Sequence, residues 1–506
     1  MKGICGIALR GIQAIAVEVE VEVTGGLFSI TVVGLPDTAV KEARERVRAA
    51  LRGIGVNLRG RIAINLAPAD LPKEGALLDL PMAVGMARAA GAVDHGGRGI
   101  FMGELALDGR LRWVRGAVPA AVLARELGAP LFVPSDNESE VALVDGVEAY
   151  SVGTLLDLVL HLRGEKPLSR IEHVSLENWN IPVDTDFADI KAQFAAKRAL
   201  EIAAAGHHNL LMTGSPGSGK TLLARALKGI LPPLSDDEMM EVLLVRSTAG
   251  LPFERGRARP FRSAHHTASS VAICGGGAAM KPGEVSMADR GVLFLDEFPE
   301  FSRDVLESLR QPLEDGAITI SRAAGSVTYP ARVLLVTACN PCPCGYSGDP
   351  SEPCRCSQGD LERYRRKLSG PILDRIDLHV AVPRLSPEEL VSAGENRAEP
   401  SETVRRRVEM ARKVQQERWK EFGYHCNAEL PEKVIRQTLN LDSDVRPFLA
   451  ETMKRVRLSG RGYSRVLRVA RTVADLEGTE KIGIHHVAES LSYREGAAFG
   501  GAGWKR

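Results

Sequence analysis

The sequence predicts an α/β protein in three parts. An α/β unit spans residues 1–165, a phosphate-binding α/β unit spans 187–385 and a helical unit spans 401–506, with a linker at 166–186 and a connector at 386–400. Three observations carry this division. Residues 214–221 read GSPGSGKT, matching G-x-x-x-x-G-K-[ST] at every fixed position, between an apolar run at 208–212 and a helical pattern at 222–230. Residues 291–298, GVLFLDEF, form an apolar strand ending in two carboxylates. After Pro400 the apolar spacing is helical throughout.

The chain has 506 residues, 44% hydrophobic and 25% charged, enough to bury several cores. Its net charge is +1, so any nucleic-acid contact must be local rather than the product of a global basic field. No apolar run approaches the ~20 residues of a membrane span, and the start MKGICGIALRGIQ lacks a signal-peptide profile, so a cytoplasmic chain without membrane contact is expected.

In the first unit, 14–23 (AIAVEVEVEV) alternates as a half-buried strand, with 27–33 as its partner across Gly25 and Gly26. Asp37 caps a basic amphipathic helix that ends before Gly53. Further strands are expected at 61–66, 99–102 and 131–133, and helices at 75–90 and 117–127. The stretch LPKEGALLDLPMAVGMA, followed by MGELALDGRLRWVRGAVPAAVLA, resembles the proteolytic domain of Lon proteases. That resemblance implies the fold. Ala76, Leu77 and Leu78 stand where its nucleophilic serine belongs, and Val118 and Pro119 where its lysine belongs, so a catalytically silent domain is expected. The alternative is an unrelated α/β domain.

Residues 164–186 are polar and irregular, and 187–205 is a strong helical pattern leading into the glycine loop. Gly214, Ser215, Pro216, Gly217, Ser218 and Gly219 would curl backbone N–H groups around phosphate oxygens, Lys220 would reach the β/γ-phosphates, and Thr221 would ligate magnesium. The chemistry implied is nucleoside triphosphate binding, with ATP and Mg2+. Asp296 would hold the magnesium and Glu297 would deprotonate the attacking water. Residues 332–340 (RVLLVTACN) form a strand whose end, Asn340, would position the same water.

Three insertions follow from the pattern. The centre of 263–290, VAICGGGAAMKPGEV, reads as a short hairpin, and 317–329 as a second. Their basic residues, Lys281 and Arg322, suit loops gripping DNA phosphates in a ring pore; the alternative is packing between neighbouring subunits. The third holds Cys342, Cys344, Cys354 and Cys356, two C-x-C pairs that either form a structural zinc site or remain reduced thiols. Arg375, in 369–377 (SGPILDRID), is the candidate arginine finger for a neighbour's γ-phosphate; the alternative is an ion pair with Asp374 or Asp377. Helices are expected at 402–419, 432–439, 444–458, 464–477 and 484–491. Arg465 opens the fourth and would point toward the nucleotide as a second sensor, while Arg468 and Arg471 read as solvated or structural.

Together GSPGSGKT, VLFLDEF, VTACN, LDRID and GYSRVLRVAR resemble the AAA+ ATPases of the magnesium-chelatase and MCM-helicase branch. With the Lon-like unit in front and CNPCPCGYSGDPSEPCRC inside, the order resembles the YifB/ComM family over nearly the whole chain. That resemblance implies a homo-oligomeric ring, a hexamer, that hydrolyses ATP and moves DNA without sequence preference. The resemblance to this family further implies a branch-migration helicase acting during natural transformation. A magnesium-chelatase-type motor acting on a protein partner is the alternative, and the first unit argues against it.

Overall fold

A computed structural model of the chain describes residues 3–494 except 74, 94–97, 176–184, 253–255, 278, 323–324, 350, 368–369, 387–398 and 457. Most of the expected connector lies outside the described residues, as does much of the linker.

The first unit is built on a seven-stranded mixed sheet. Its order is Ser29–Val33, Arg61–Ala67, Gln13–Thr24, Ile4–Arg10, Gly99–Phe101, Leu131–Pro134 and Ala149–Val152. Sequence reasoning paired 14–23 with 27–33; instead Arg61–Ala67 lies between them, antiparallel to the first and parallel to the second. The helix Thr38–Gly53 is the reason. Capped by Asp37, whose Oδ1 accepts from Val40 N–H at 2.7 Å, it makes a strand–helix–strand crossover that brings 61–67 in parallel. The true hairpin partner of Gln13–Thr24 is Ile4–Arg10, across a turn in which Gly11 has φ +62°. The helix expected over 75–90 begins with a short 3-10 turn, Ala76–Leu78, and continues as Asp79–Ala89. The start of the expected linker is not loose: Ser151 N–H reaches the Ser169 carbonyl and Ile171 N–H the Ala149 carbonyl, so 169–171 cover the edge of the sheet.

The central unit carries a five-stranded, all-parallel sheet in the order Phe261–Ala264, Val292–Leu295, Leu334–Cys339, Leu210–Thr213 and Leu378–Ala381. Its central strands are buried on both faces, which is why they read as unbroken apolar runs. The helical pattern at 187–205 splits into a 3-10 turn, Phe187–Asp189, and a helix, Phe194–Gly206, with Ala192 and Gln193 at positive φ between them.

The lid helices are Ser401–Trp419, Glu432–Thr438, Val445–Val456, Gly460–Leu476 and Ile484–Ser492. Ser401 ties them to the central unit, its Oγ accepting from Phe187 N–H at 2.8 Å. One long helix escaped sequence reasoning. Asp236–Ala249 packs between the first and central units, and its Met239, Val242 and Leu243 share a core with Ile7, Val118 and Val133. No helix among the described residues is long and apolar enough to cross a membrane.

Candidate functional site

The glycine loop leaves the strand Leu210–Thr213 and enters the helix Lys220–Ile230 at the C-terminal edge of the parallel sheet, where open α/β sheets place ligands. Gly217 and Gly219 sit at φ +78° and +90°, a region that favours glycine. Gly214 is confined differently: a Cβ there would lie 2.2 Å from the Val382 carbonyl oxygen. Lys220 Nζ donates to the Gly214 and Ser215 carbonyls at 2.6 and 3.0 Å and to Asn340 Oδ1 at 3.3 Å. Burial pulls its pKa below the ordinary lysine value, with Asp296 opposing. Ser218 Oγ is buried with no hydrogen-bond partner among the described residues. An orphaned hydroxyl beside a buried ammonium in a ring of glycines fits a phosphate group.

The carboxylates sit on the next strand but one. Asp296 Oδ2 accepts from Thr221 Oγ1 at 2.9 Å, so a hydroxyl and a carboxylate suited to magnesium lie side by side. Glu297 follows at φ +50°, its side chain 57% exposed and its Oε2 2.8 Å from His266 Nδ1. Sequence reasoning missed His266. Asn340 ends the strand Leu334–Cys339, and its carbonyl accepts from Tyr364 Oη at 3.1 Å. Lys220, Thr221, Asp296, Glu297 and Asn340 therefore converge on one edge.

Arg375 and Arg465 do not. They line a cavity of about 540 Å³ with Asn209, Asp377, Arg461 and Arg468, at the N-terminal edge of the same sheet. Arg375 is paired with Glu314. Arg465 lies inside a helix that starts at Gly460, capped by Ser459, and its Nε is 3.6 Å from Asp377 Oδ1. Thus Arg465 is not directed at its own chain's glycine loop, contrary to the sequence expectation; its helix packs against the strand end that precedes the loop. Asp377 is buried. Burial would raise its pKa, but His208 at 3.1 Å, Arg465 and Arg468 outweigh that and hold it at about 2. Arg471 is a buried structural residue, paired with Asp475 at 3.0 Å.

The first expected hairpin is mostly helical: Ser270–Cys274 and Glu284–Met287 flank a two-residue ladder, Gly275–Gly276 against Lys281–Pro282. The second hairpin, Ala317–Arg322 with Gly325–Pro330, packs against it, and Tyr329 Oη donates to the Met280 carbonyl at 2.9 Å. Exposed Lys281 pairs opposite Gly276, and Arg322 Nη2 would meet a Cβ on Gly276 at 3.7 Å, so both basic residues flank one glycine.

The ligand atoms of Cys342, Cys344, Cys354 and Cys356 lie within 4.8 Å of one another. Sulfur separations of 3.3, 3.6 and 3.7 Å approach the roughly 3.8 Å edge of a thiolate tetrahedron with metal–sulfur bonds near 2.3 Å. Backbone N–H groups of Arg355 and Tyr346 hold the Cys344 thiol down at about 6, whereas burial pushes Cys342 up. The cluster fits zinc, which would supply the remaining deprotonation. Its loop braces the nucleotide edge, because a Cβ on Gly345 would come 2.7 Å from Pro216. A second group, Glu477, His485 and His486, is different in kind. His486 Nδ1 accepts from Gly483 N–H at 2.8 Å, so its Nε2 keeps the proton and donates to Glu477. That pattern is a hydrogen-bonded corner, not a ligand set.

Three family models match the chain. One described as magnesium chelatase, subunit ChlI, covers 186–390, and one described as its C-terminal part covers 398–494. A third, described as subunit ChlI of Mg-chelatase, covers 19–137. The first unit therefore does not by itself set the chain apart from chelatase motors, contrary to the argument from sequence. Extent of similarity separates them better. The chain is 45% identical over 496 residues to Competence protein ComM of Haemophilus influenzae, covering 96% of each. It is 42% identical over 493 residues, again 96% of each, to the Escherichia coli protein YifB. Similarity to magnesium-chelatase subunit ChlI of Trieres chinensis is 24% over 345 residues, 63% of this chain and 89% of that one. With a magnesium-chelatase-type ATPase unit, a helical C-terminal region and near full-length similarity to these relatives, the chain belongs to the YifB/ComM family of AAA+ ATPases.

Proposed function

We propose that the chain is one subunit of an ATP-driven DNA motor, a hexameric ring acting as a branch-migration helicase in recombination during natural transformation. The observation that carries this is the division of the catalytic groups. Lys220, Thr221, Asp296, Glu297 and Asn340 occupy one edge of the sheet, and Arg375 and Arg465 the other, so a complete hydrolysis site needs two subunits stacked edge to edge. In this reading the loop residues Gly214–Gly219 and Lys220 hold the phosphates, and Thr221 and Asp296 would hold Mg2+, which would supply charge neutralisation when bound. Glu297 accepts the proton of the attacking water, Asn340 holds that water, and Arg375 and Arg465 reach the neighbour's γ-phosphate.

Several further assignments belong to the same proposal. The division at 1–165, 187–385 and 401–506 gives a silent Lon-like domain, an ATPase core and a lid, in a cytoplasmic protein. Zinc on the four cysteines stiffens the loop under Pro216. DNA as the object moved is supported by the name of the Haemophilus relative and by Lys281 and Arg322 flanking one glycine. Contacts through such side chains would be to phosphate, independent of sequence and weakened by salt.

A labelled three-strand or Holliday-type junction, incubated with protein and ATP over a range of salt, tests the reading. Strand displacement that requires ATP is expected; failure to bind or displace DNA at every salt concentration overturns it. A magnesium-chelatase-type motor acting on a protein partner is the second reading, favoured by the three family-model descriptions. Turnover indifferent to DNA would support it.

A further inference from the structure

The first unit carries two charged surfaces that the hydrolysis site does not use. One is a sheet face. The strand Gln13–Thr24 alternates, and its Val17 and Val19 share a core with Val40 and Val47 of the helix Thr38–Gly53. Glu18, Glu20 and Glu22 therefore lie on the face away from that helix, and all three are exposed. The register sets Ala63 beside Glu22 and Thr31 beside Ala63, both exposed as well. Three carboxylates at i, i+2 and i+4 thus run for ~13 Å at 3.3 Å per residue, next to small neighbours. Arg61 stands at the far end of this face, in register with Thr24.

The other surface is on the helix side of the sheet. Lys41, Arg44, Arg48 and Arg52 are exposed and recur at i, i+3, i+7 and i+11, so they form one stripe, ~17 Å long at 1.5 Å per residue. It follows the flank nearest the edge strand Ser29–Val33. Arg44 Nη1 donates to the Ile30 carbonyl at 3.2 Å, and the Arg48 guanidinium carbon lies 4.7 Å from the centre of the Phe28 ring. The four bases outnumber the two exposed acids of this helix, Glu42 and Glu45, of which Glu45 lies 3.8 Å from Arg48. Either surface set against a copy of itself would oppose like charges. The acidic face set against the basic stripe of a second copy opposes unlike charges over similar lengths. Such a contact is heterologous: it leaves both surfaces free at the ends of a pair and repeats until it closes. A nucleic acid on the basic stripe would leave the acidic face without a partner.

We propose that first units dock head to tail, the face bearing Glu18, Glu20 and Glu22 of one copy on the stripe bearing Lys41, Arg44, Arg48 and Arg52 of the next. The inference rests on the reading of the chain as a ring subunit, and it gives the first unit a part in that ring separate from the nucleotide site. Exposed charge pairs are individually weak and screened by salt, so the contact selects the neighbour and its orientation.

The test follows assembly of the full-length chain by sedimentation velocity, with Mg2+ and a non-hydrolysable ATP analogue. Two charge-reversed variants are compared with wild type. The face variant combines Glu18→Lys, Glu20→Lys and Glu22→Lys; the stripe variant combines Lys41→Glu, Arg44→Glu and Arg48→Glu. Each alone opposes like charges and is expected to need at least ~10-fold more protein for half-assembly. In a one-to-one mixture the lysine face meets the glutamate stripe and the native face meets the native stripe. Alternating assembly within about three-fold of the wild-type concentration is therefore expected. Thermal unfolding checks that both variants are folded. Where either is not, the neutral set Glu18→Gln, Glu20→Gln and Glu22→Gln replaces it, with a shift of at least ~3-fold expected. The inference is overturned if either reversed variant assembles like wild type, if the mixture of folded variants stays apart, or if the neutral set shifts nothing. A stripe variant that assembles normally but loses affinity for a labelled DNA strand assigns the stripe to DNA and overturns it too. The underlying reading fails separately: wild type that stays monomeric at every concentration removes the ring itself. A wild-type ring indifferent to both variants removes only this contact.

Discussion

Mixing two inactive variants asks directly whether the hydrolysis site is shared. Lys220→Ala removes the ammonium that touches Gly214, Ser215 and Asn340; Arg375→Ala removes the guanidinium at the opposite edge. The strand between the two edges, Leu210–Thr213, is four residues long, about 13 Å at 3.3 Å per residue, so one chain's Arg375 cannot serve its own loop. Each variant alone should be inactive, the arginine variant losing roughly 10³–10⁵ in rate, or about 4–7 kcal/mol of barrier. In a one-to-one mixture, a site is whole when its loop comes from an Arg375→Ala subunit and its finger from a Lys220→Ala neighbour. Random assembly makes about a quarter of the sites whole. Steady-state ATPase of the mixture should therefore rise to roughly a quarter of the wild-type rate if sites fire independently, against almost nothing for either variant alone. Co-purification of differently tagged subunits verifies mixing. Mixed rings no more active than the sum of their parts would refute a finger acting between subunits.

Two further outcomes follow from the geometry. Purified protein should carry about one equivalent of zinc on Cys342, Cys344, Cys354 and Cys356, lost in Cys354→Ser; less than half an equivalent by metal analysis refutes the zinc reading. Burial holds His379 neutral down to about pH 3, whereas an unfolded imidazole protonates near 6.5. Protons then bind the unfolded chain first, so stability from this source is complete above ~6.5 and falls as pH drops, by about 2 kcal/mol between pH 7 and 5. Urea unfolding at both pH values should show His379→Leu with that much less pH dependence than wild type, and an equal slope would refute the assignment.

What was legible in the sequence had obligatory chemistry at short spacing. The glycine loop, the Asp296–Glu297 strand end and the Asn340 strand each announce themselves because the sheet demands apolar runs and the site demands particular residues at their ends. The helix Asp236–Ala249 did not, because its contacts mix the two residue types: Glu238 and Glu241 pair with Arg259 and Arg290 while Met239, Val242 and Leu243 enter a core, so no apolar stripe stands out. Its signal was the capping box, Ser235 with Glu238, each side chain reaching the other's backbone N–H. His266 was invisible for another reason: its partner is 31 residues away, and only the parallel register of two strands brings them together. Arg465 was misdirected because a helical pattern shows which face is apolar, not toward which edge of a distant sheet the helix is packed.

Among the described residues, two joints of unequal strength connect the first unit to the ATPase. At one, Gly116 N–H reaches the Ser247 carbonyl at 2.9 Å and Val118 N–H reaches Ser247 Oγ at 3.2 Å, while that hydroxyl donates to Glu140 at 2.9 Å. Trp113 Nε1 gives Glu140 another hydrogen bond at 2.8 Å, and the apolar face of Asp236–Ala249 closes the joint. Opening it would orphan buried polar groups at about 1–3 kcal/mol each and expose apolar surface besides. At the other, the turn at Gly11 lies against the second hairpin. A Cβ on Gly11 would meet Val327 Cγ1 at 2.5 Å, and Arg10 Nη2 reaches the Ser326 carbonyl at 3.4 Å, on the surface. The first joint holds the helix that follows the phosphate-loop helix; the second holds the hairpin that carries Arg322. Any displacement of that hairpin relative to the nucleotide edge must strain one joint or the other. The contact at Gly11, one exposed hydrogen bond and the packing of Ile12 and Gly11 on the hairpin core, is the smaller of the two.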